Sequence, residues 1–210
     1  MNNANNIAQL LLDSGIVKFN FEAPFVLSSG VKSPIYADCR LVISNIELRE
    51  VISASIANLI KQKYPDVEII CGVATGSIAL SAWVADILEL PLMYYRKPKG
   101  HGANNTLEGV YSANQKVVVI EDVVSTGGSC LNAVDSLRES NLDVLGVSFI
   151  YSHLMPISVA NFGDKNCDYS FLCNFDELIK YCEESGTLNS QELQSLQSWH
   201  SDPVTWGESR

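Results

Sequence analysis

The chain has 210 residues, 47% of them hydrophobic and 18% charged, with a formal net charge of −10. Its length and balance suit one globular domain with a substantial core, and the acidic surplus excludes a general nucleic-acid binder, whose affinity depends on basic surface. The six cysteines, at 39, 71, 130, 167, 173 and 182, have neither Cys-x-x-Cys spacing nor neighbouring histidines, which argues against a zinc site and a disulfide framework.

Met1 to Asn6 is polar and uncharged where a signal peptide would be basic and then apolar, and no apolar stretch approaches a membrane span, so the cytoplasm is the expected location. Residues 7–15 carry Ile7, Leu10 and Leu11 at helical spacing and stop at Gly15, a carboxyl-cap residue. Val17 to Leu27, rich in Phe and Val around Pro24, reads as short strands outside any strand-helix rhythm, hence as a small cover on the main sheet. Ser29-Gly30 reads as the turn of a β-hairpin, with Pro34 on an edge strand. Ser44-x-x-Glu47 is a capping-box pattern that opens a helix to Lys63, with Leu48, Val51, Ile52, Ile56, Leu59 and Ile60 on its apolar face.

Val67 to Val73 is a core strand, and Ala74-Thr75-Gly76-Ser77 turns from it into a helix over Ile78 to Leu88, so the turn is an anion site by position. After the short strand Leu92 to Tyr95 the chain changes character. Arg96, Lys97, Lys99 and His101 fall within six residues, and Gly, Asn and Thr follow with no periodic apolar face as far as Gly109. A solvated basic loop is the plain reading. Positive charge concentrated in an acidic chain, with glycines at 100, 102 and 109, also fits a lid that opens and closes over an anion.

Val117 to Ile120 is a run of four β-branched residues, as in a parallel strand covered on both faces. Glu121 and Asp122 follow at its carboxyl end, and Ser125, Thr126, Gly127, Gly128 and Ser129 turn into an amphipathic helix over Cys130 to Arg138. Small hydrogen-bonding residues at a helix amino terminus favour a phosphate, and two carboxylates beside them describe a site for a sugar phosphate. The stretch lacks the lysine of a Walker loop and the three spaced glycines of a dinucleotide fingerprint. Beyond it lie a strand over Asp143 to Tyr151, His153, which could line a pocket but at a strand terminus reads rather as structural, a short helix over Pro156 to Phe162 and a strand over Tyr169 to Leu172. A helix over Asp176 to Glu184 closed by Gly186 follows, and a last helix capped by Asn189 carries Leu193, Leu196 and Trp199. Strands alternating with helices predict an α/β fold, a mostly parallel central sheet with helices on both faces, and the loops at 74–77, 96–109 and 121–129 all leave its carboxyl rim.

Three of these stretches resemble the words of one family. Glu121 to Ser129 resembles the ribose-5-phosphate motif of the type I phosphoribosyltransferases. Ser29-Gly-x-Lys-Ser-Pro-Ile-Tyr36 is similar to the amino-terminal signature of the orotate phosphoribosyltransferases, and Arg96-x-x-Lys-x-His-Gly with Glu108-Gly109 resembles their catalytic loop. The resemblance implies a single phosphoribosyltransferase domain over residues 1–210, with 1–43 contributing a hood over the active site, that transfers the phosphoribosyl group of 5-phosphoribosyl 1-diphosphate (PRPP) to orotate. It implies PRPP contacts from Thr75, Gly76, Arg96, Lys99, His101, Glu121, Asp122, Val123, Val124, Ser125, Thr126, Gly127, Gly128 and Ser129, and catalytic roles for Lys97, Lys99 and His101. Orotate would meet Ser125, Tyr36 and Arg40, the last because a guanidinium fork matches a carboxylate. Mg²⁺ would be held mainly by substrate oxygens and water rather than by a protein metal site, and a homodimer would send each 96–109 loop into the neighbouring active site. Neither nucleic acid nor membrane is an expected partner.

The chain departs from the family pattern at Ser28 and Gly76, where some relatives carry lysines, and it has one residue fewer than many members between the lid arginine and Lys-x-His-Gly. The division of roles between Arg96 and Lys97 stays open on that account. A purine or uracil phosphoribosyltransferase would not need the hood sequence or this lid. A PRPP-sensing regulator would keep the phosphate cradle and lose the cationic loop.

Overall fold

The computed structural model describes residues 3–27, 30–98 and 106–208. In chain order the elements are α1 (Asn3–Asp13), β1 (Val17–Phe19), β2 (Phe25–Val26), β3 (Lys32–Ser33), β4 (Ile35–Ala37), a 3-10 turn (Cys39–Ser44), α2 (Ile46–Lys63), β5 (Ile69–Val73), α3 (Ile78–Leu88), β6 (Leu92–Tyr95) and β7 (Leu107–Glu108). They continue with β8 (Lys116–Val124), α4 (Gly128–Glu139), β9 (Asp143–Ser152), α5 (Pro156–Asp164), β10 (Tyr169–Asn174), α6 (Phe175–Ser185), α7 (Ser190–Ser201) and α8 (Pro203–Glu208). Two compact units result, one built from the chain up to Asp38 together with the chain from Cys173 onward, the other from Cys39–Leu172.

The second unit holds the sheet, in the order β10-β9-β8-β5-β6-β7. β5 pairs in parallel with β6 and with β8, β8 pairs in parallel with β9, and β7 runs antiparallel along β6. This is the mostly parallel sheet expected. Ile69, Cys71, Val73, Val117 and Val119 on one face pack with Cys130, Leu131, Val134 and Leu137 of α4. Strand side chains alternate, so the buried Ile70, Val118 and Ile120 face the other layer, where α3 lies on β5 and packs against α2. An apolar run without alternation is thus covered on both sides, as the valine-rich stretch requires. The chain passes from β5 through α3 to β6 on one flank and returns to β8 on the other. Strand order therefore reverses between β5 and β8, the place where such sheets bind ligands beyond their carboxyl ends.

Three local expectations in this unit are corrected. β8 does not stop at Ile120 but runs on through Glu121 and Asp122, because the longer β9 pairs Tyr151 with Val123 and Ser152 with Val124. The stretch read as an unbroken loop to Gly109 contains β7, with Tyr94 opposite Glu108 and Tyr95 opposite Leu107. The Ser44 capping box does not form: Ser44 closes the 3-10 turn, and Asn45 Oδ1 accepts the Leu48 N–H at 3.1 Å. Asparagine caps as well as serine, and counting from Asn45 puts Leu48, not Glu47, at the position that would complete the box.

In the first unit β2 and β3 form the expected hairpin, closed by Leu27 N–H to Val31 C=O at 2.9 Å. β1 pairs antiparallel with β4, setting Lys18 opposite Tyr36. α1 buries Ile7, Ala8 and Leu11 and packs on α6. Capping boxes open α6 (Asn174 with Glu177) and α7 (Asn189 with Glu192). α8 is an addition to the expected elements; Pro203 takes its first position, where a missing N–H costs nothing, and Asp202 accepts the Thr205 N–H at 3.1 Å. Trp199 is buried on α7, its ring N–H donating to the Lys32 carbonyl at 3.2 Å.

All six cysteines are buried thiols, and burial pushes Cys71 up to about 12 and Cys182 up to about 11. Among the described residues no helix is long and apolar enough to cross a membrane.

Candidate functional site

Two turns come together where the strand order reverses. The first, residues 74–77, leaves β5 and enters α3. Its Ala74–Thr75 peptide is cis, and the Ala74 N–H donates to the Tyr95 carbonyl at 2.7 Å. The second, residues 125–127, leaves β8 and enters α4. The first turn approaches the end of β8 closely enough that a Cβ built on Gly76 would lie 2.6 Å from Asp122 Oδ2, so the glycine leaves room for the neighbouring carboxylate. A lysine at 76 would displace Asp122 from the place it holds here.

The second turn is supported from behind. Ser152 Oγ donates to the Val124 carbonyl at 2.8 Å and Asn161 Nδ2 to the Thr126 carbonyl at 2.9 Å. Gly127 adopts φ 83°, and a Cβ there would meet Phe162 Cε2 at 2.9 Å. Left-handed backbone and a ring against the Cα leave glycine as the residue that fits. Ser125, Thr126, Gly128 and Ser129 are exposed around it. Neither α3 nor α4 has a side-chain cap, and nor has α5, which starts at Met155-Pro156, whereas α2, α6 and α7 are each capped by asparagine. The first N–H groups of a helix have no partner within it, so both turns offer backbone donors and a positive helix end to an anion.

The two acids are not equivalent, because consecutive residues of a strand point to opposite faces. Asp122 turns toward the 74–77 turn, half-buried, with Oδ1 accepting the Val123 N–H at 2.8 Å. Glu121 is only 7% exposed, its Oε1 accepts the Asp122 N–H at 3.2 Å, and its charge reaches the Cys130 thiol on α4. Burial holds the Glu121 carboxyl well above its ordinary value of 4.5, and the charge of Asp122 raises it further. A native carboxyl that keeps its proton longer than the unfolded one makes stability fall as pH rises from about 4.5 through the raised native value. Glu121→Gln is therefore expected to melt at a higher temperature than the parent at pH 8 without ligand. The gap should close as the buffer is taken to pH 4.5, a comparison that differential scanning calorimetry makes directly.

At the edge of the sheet the β6–β7 hairpin forms the base of the basic loop. Arg96 N–H donates to the Thr106 carbonyl at 2.8 Å, and Arg96 Nε pairs with Glu108 Oε1 at 2.7 Å. The Arg96 Nη1 is buried and has no hydrogen-bond partner among the described residues. Lys97 is exposed. Lys99 and His101, like Gly100 and Gly102, lie outside the described residues, as do Ser28 and Ser29.

Tyr36 stands in the first unit on β4, half-buried, with its ring 5.4 Å from that of Phe25. Arg40 is exposed on the 3-10 turn of the second unit. His153 is buried against Tyr151, with Nδ1 at 3.2 Å from the tyrosine hydroxyl and the rings edge to face, which fits the structural role. Thus 74–76 and 121–129 are brought together within one unit. Two side chains have partners that the sequence did not show: Glu108, quoted only as part of the loop pattern, pairs with Arg96 twelve positions earlier, and Ser77, quoted only as part of its turn, bonds to the Ile120 carbonyl.

Residues 43–175 match the family model of the phosphoribosyl transferase domain. An orotate phosphoribosyltransferase of Enterococcus faecalis is 43% identical over 206 residues, 98% of both chains, and one of Lactiplantibacillus plantarum is 42% identical over 205 residues, 97% of both. Among solved structures, the orotate phosphoribosyltransferase of Aeropyrum pernix superposes with a TM-score of 0.75 at 26% identity, covering 87% of this chain and 99% of the other.

Proposed function

Because this chain belongs to the orotate phosphoribosyltransferase family, within the phosphoribosyl transferase domain proteins, we infer that it transfers the phosphoribosyl group of PRPP to orotate, giving orotidine 5-phosphate and pyrophosphate for pyrimidine nucleotide synthesis. The C1–O bond to diphosphate breaks through a transition state with positive charge on the ribose, while N1 of orotate approaches from the opposite face. The 125–129 turn and the start of α4 receive the 5-phosphate, Asp122 with Glu121 holds the ribose hydroxyls, and the 74–77 turn meets the diphosphate. Negative charge grows on the leaving group. Arg96, Lys97, Lys99 and His101 stabilise it, and His101 or a lysine supplies a proton. Tyr36, Arg40 and Ser125 receive the base.

The observation that carries this reading is the pair of uncapped helix starts on either side of one half-exposed carboxylate, Asp122. Among the described residues no three His, Cys, Asp or Glu side chains converge as a metal cage. Asp122 is a hard oxygen donor, and such a donor set fits magnesium held mainly by diphosphate oxygens and water. Bound there, Mg²⁺ would neutralise part of the leaving group's charge. The working form is a cytoplasmic homodimer in which the 96–109 loop serves the neighbouring site.

The test is the fall in orotate absorbance on adding PRPP and Mg²⁺, run beside uracil, hypoxanthine and adenine. Turnover with orotate alone is expected; turnover with another base and none with orotate would overturn the assignment.

A further inference from the structure

Ser77 is fully buried at the junction of β5 and α3, yet it does not cap α3. Its Oγ accepts the Val73 N–H at 2.8 Å and points its single proton between the carbonyls of Val73, at 2.6 Å, and Ile120, at 2.9 Å. The β5–β8 ladder ends where Gly72 pairs with Ile120, so this hydroxyl takes up the linkage between the strands just beyond the last rung. Ile120 immediately precedes Glu121 and Asp122. One residue back from Ser77, the bare Cα of Gly76 lies under the Asp122 carboxylate, with 2.6 Å between Oδ2 and the position a Cβ would take. One contact draws the turn toward the end of β8, and the other sets how near it comes.

We propose that Ser77 is a positioning residue for PRPP: its hydroxyl holds the 74–77 turn at a fixed spacing from the carboxylate-bearing end of β8, and Gly76 keeps that spacing clear. The inference rests on the reading of the two turns as diphosphate and ribose contacts. PRPP spans both, so its affinity depends on their separation as well as on their chemistry. On that same reading orotate meets Tyr36, Arg40 and Ser125, so its affinity should not depend on the 74–77 turn.

The physical case is one of preorganisation. A displacement of about 1 Å in a group that orients a reactant costs on the order of 100-fold in rate, and a buried hydroxyl bridging two backbones resists such a displacement. Removing it leaves the Ile120 carbonyl without this donor in a dry place. The turn then has to shift to satisfy it or let water in.

The experiment measures PRPP affinity by titration calorimetry, KM for each substrate, and melting temperature, for the parent, Ser77→Ala, Ser77→Cys and Gly76→Ala. As a control, Ser148→Ala removes another buried hydroxyl, one that lies 2.7 Å from Ser170 Oγ. Ser77→Ala is expected to raise KM and Kd for PRPP about tenfold or more and to leave KM for orotate within a factor of about two. Ser77→Cys should recover part of the PRPP affinity, and Ser148→Ala should move the melting temperature without that split. If Ser77→Ala fails to fold, Gly76→Ala carries the test. Its added methyl meets the mobile end of the Asp122 side chain, so the variant should melt like the parent and bind PRPP more weakly. Unchanged PRPP affinity in a folded Ser77→Ala or Gly76→Ala variant, or an equal loss for both substrates, overturns the proposal. Absence of PRPP binding by the parent itself would sink the underlying reading and this inference with it.

Discussion

Asp122→Asn is expected to weaken PRPP binding by about 10- to 100-fold, since a hydrogen bond to a charged group contributes about 1.5–3 kcal/mol and each 1.4 kcal/mol is about tenfold in affinity. The substitution keeps the shape of the side chain, so Gly76 still has the neighbour it needs. The amide can still accept the Val123 N–H through its oxygen, but it presents an NH₂ to a ribose hydroxyl that needs an acceptor. Stability should change little, because Asp122 is half-exposed. Titration calorimetry with PRPP and Mg²⁺ gives the affinity, and thermal melting checks the fold. Parent-like affinity would remove Asp122 from the ribose site. Glu121→Gln separates from it by sign, being expected to gain stability without ligand where Asp122→Asn gains none.

A larger effect, on turnover, is expected from the loop. Lys99→Ala and His101→Ala should each lower kcat by about 100- to 1000-fold, the range lost when one preorganised donor to developing negative charge is removed. The chain carries 14 lysines and arginines against 24 aspartates and glutamates, and three of those cations with one histidine lie between 96 and 101. A cluster of that density is suited to a polyanionic leaving group and is costly to maintain against self-repulsion without one. Arg96 is partly committed already, since its Nε pairs with Glu108 at the base of the hairpin, so the test falls on Lys99 and His101. Steady-state kinetics at saturating PRPP gives kcat, and calorimetric melting shows whether the fold is intact. Loss of folding in step with loss of turnover would defeat the assignment.

Much of this molecule is readable from local pattern. β6 and α3 lie where periodicity and end signals put them, from Leu92 to Tyr95 and from Ile78 to Leu88, because a four-residue apolar run and a helix with an apolar face are local facts. What escaped depends on partners distant in sequence. β7 is two residues long, and Leu107 and Glu108 become a strand only through Tyr94 and Tyr95. The length of β8 is dictated by β9, and with it the turning of Glu121 and Asp122 to different sides. In the site, two acids beside the glycines and hydroxyls of 121–129 are what suggest the phosphate cradle proposed above, since such a turn without the acids more often only joins a strand to a helix. Ser77 announces nothing, because a serine before a helix is ordinary and its bond to Ile120 joins residues 43 positions apart.

The unit formed by the two ends of the chain bears on the order in which the protein can be made. Residues up to Asp38 leave the ribosome well before α6, which begins at Phe175 and on which α1 packs. At roughly 5–20 residues per second the intervening segment takes on the order of ten seconds to emerge. For that interval the apolar side of α1, with Ile7 and Leu11, has no α6 to pack on, while the sheet between can already close. Until α6 arrives, α1 is thus a target for chaperones and proteases, and truncation upstream of α6 would leave that vulnerability permanent.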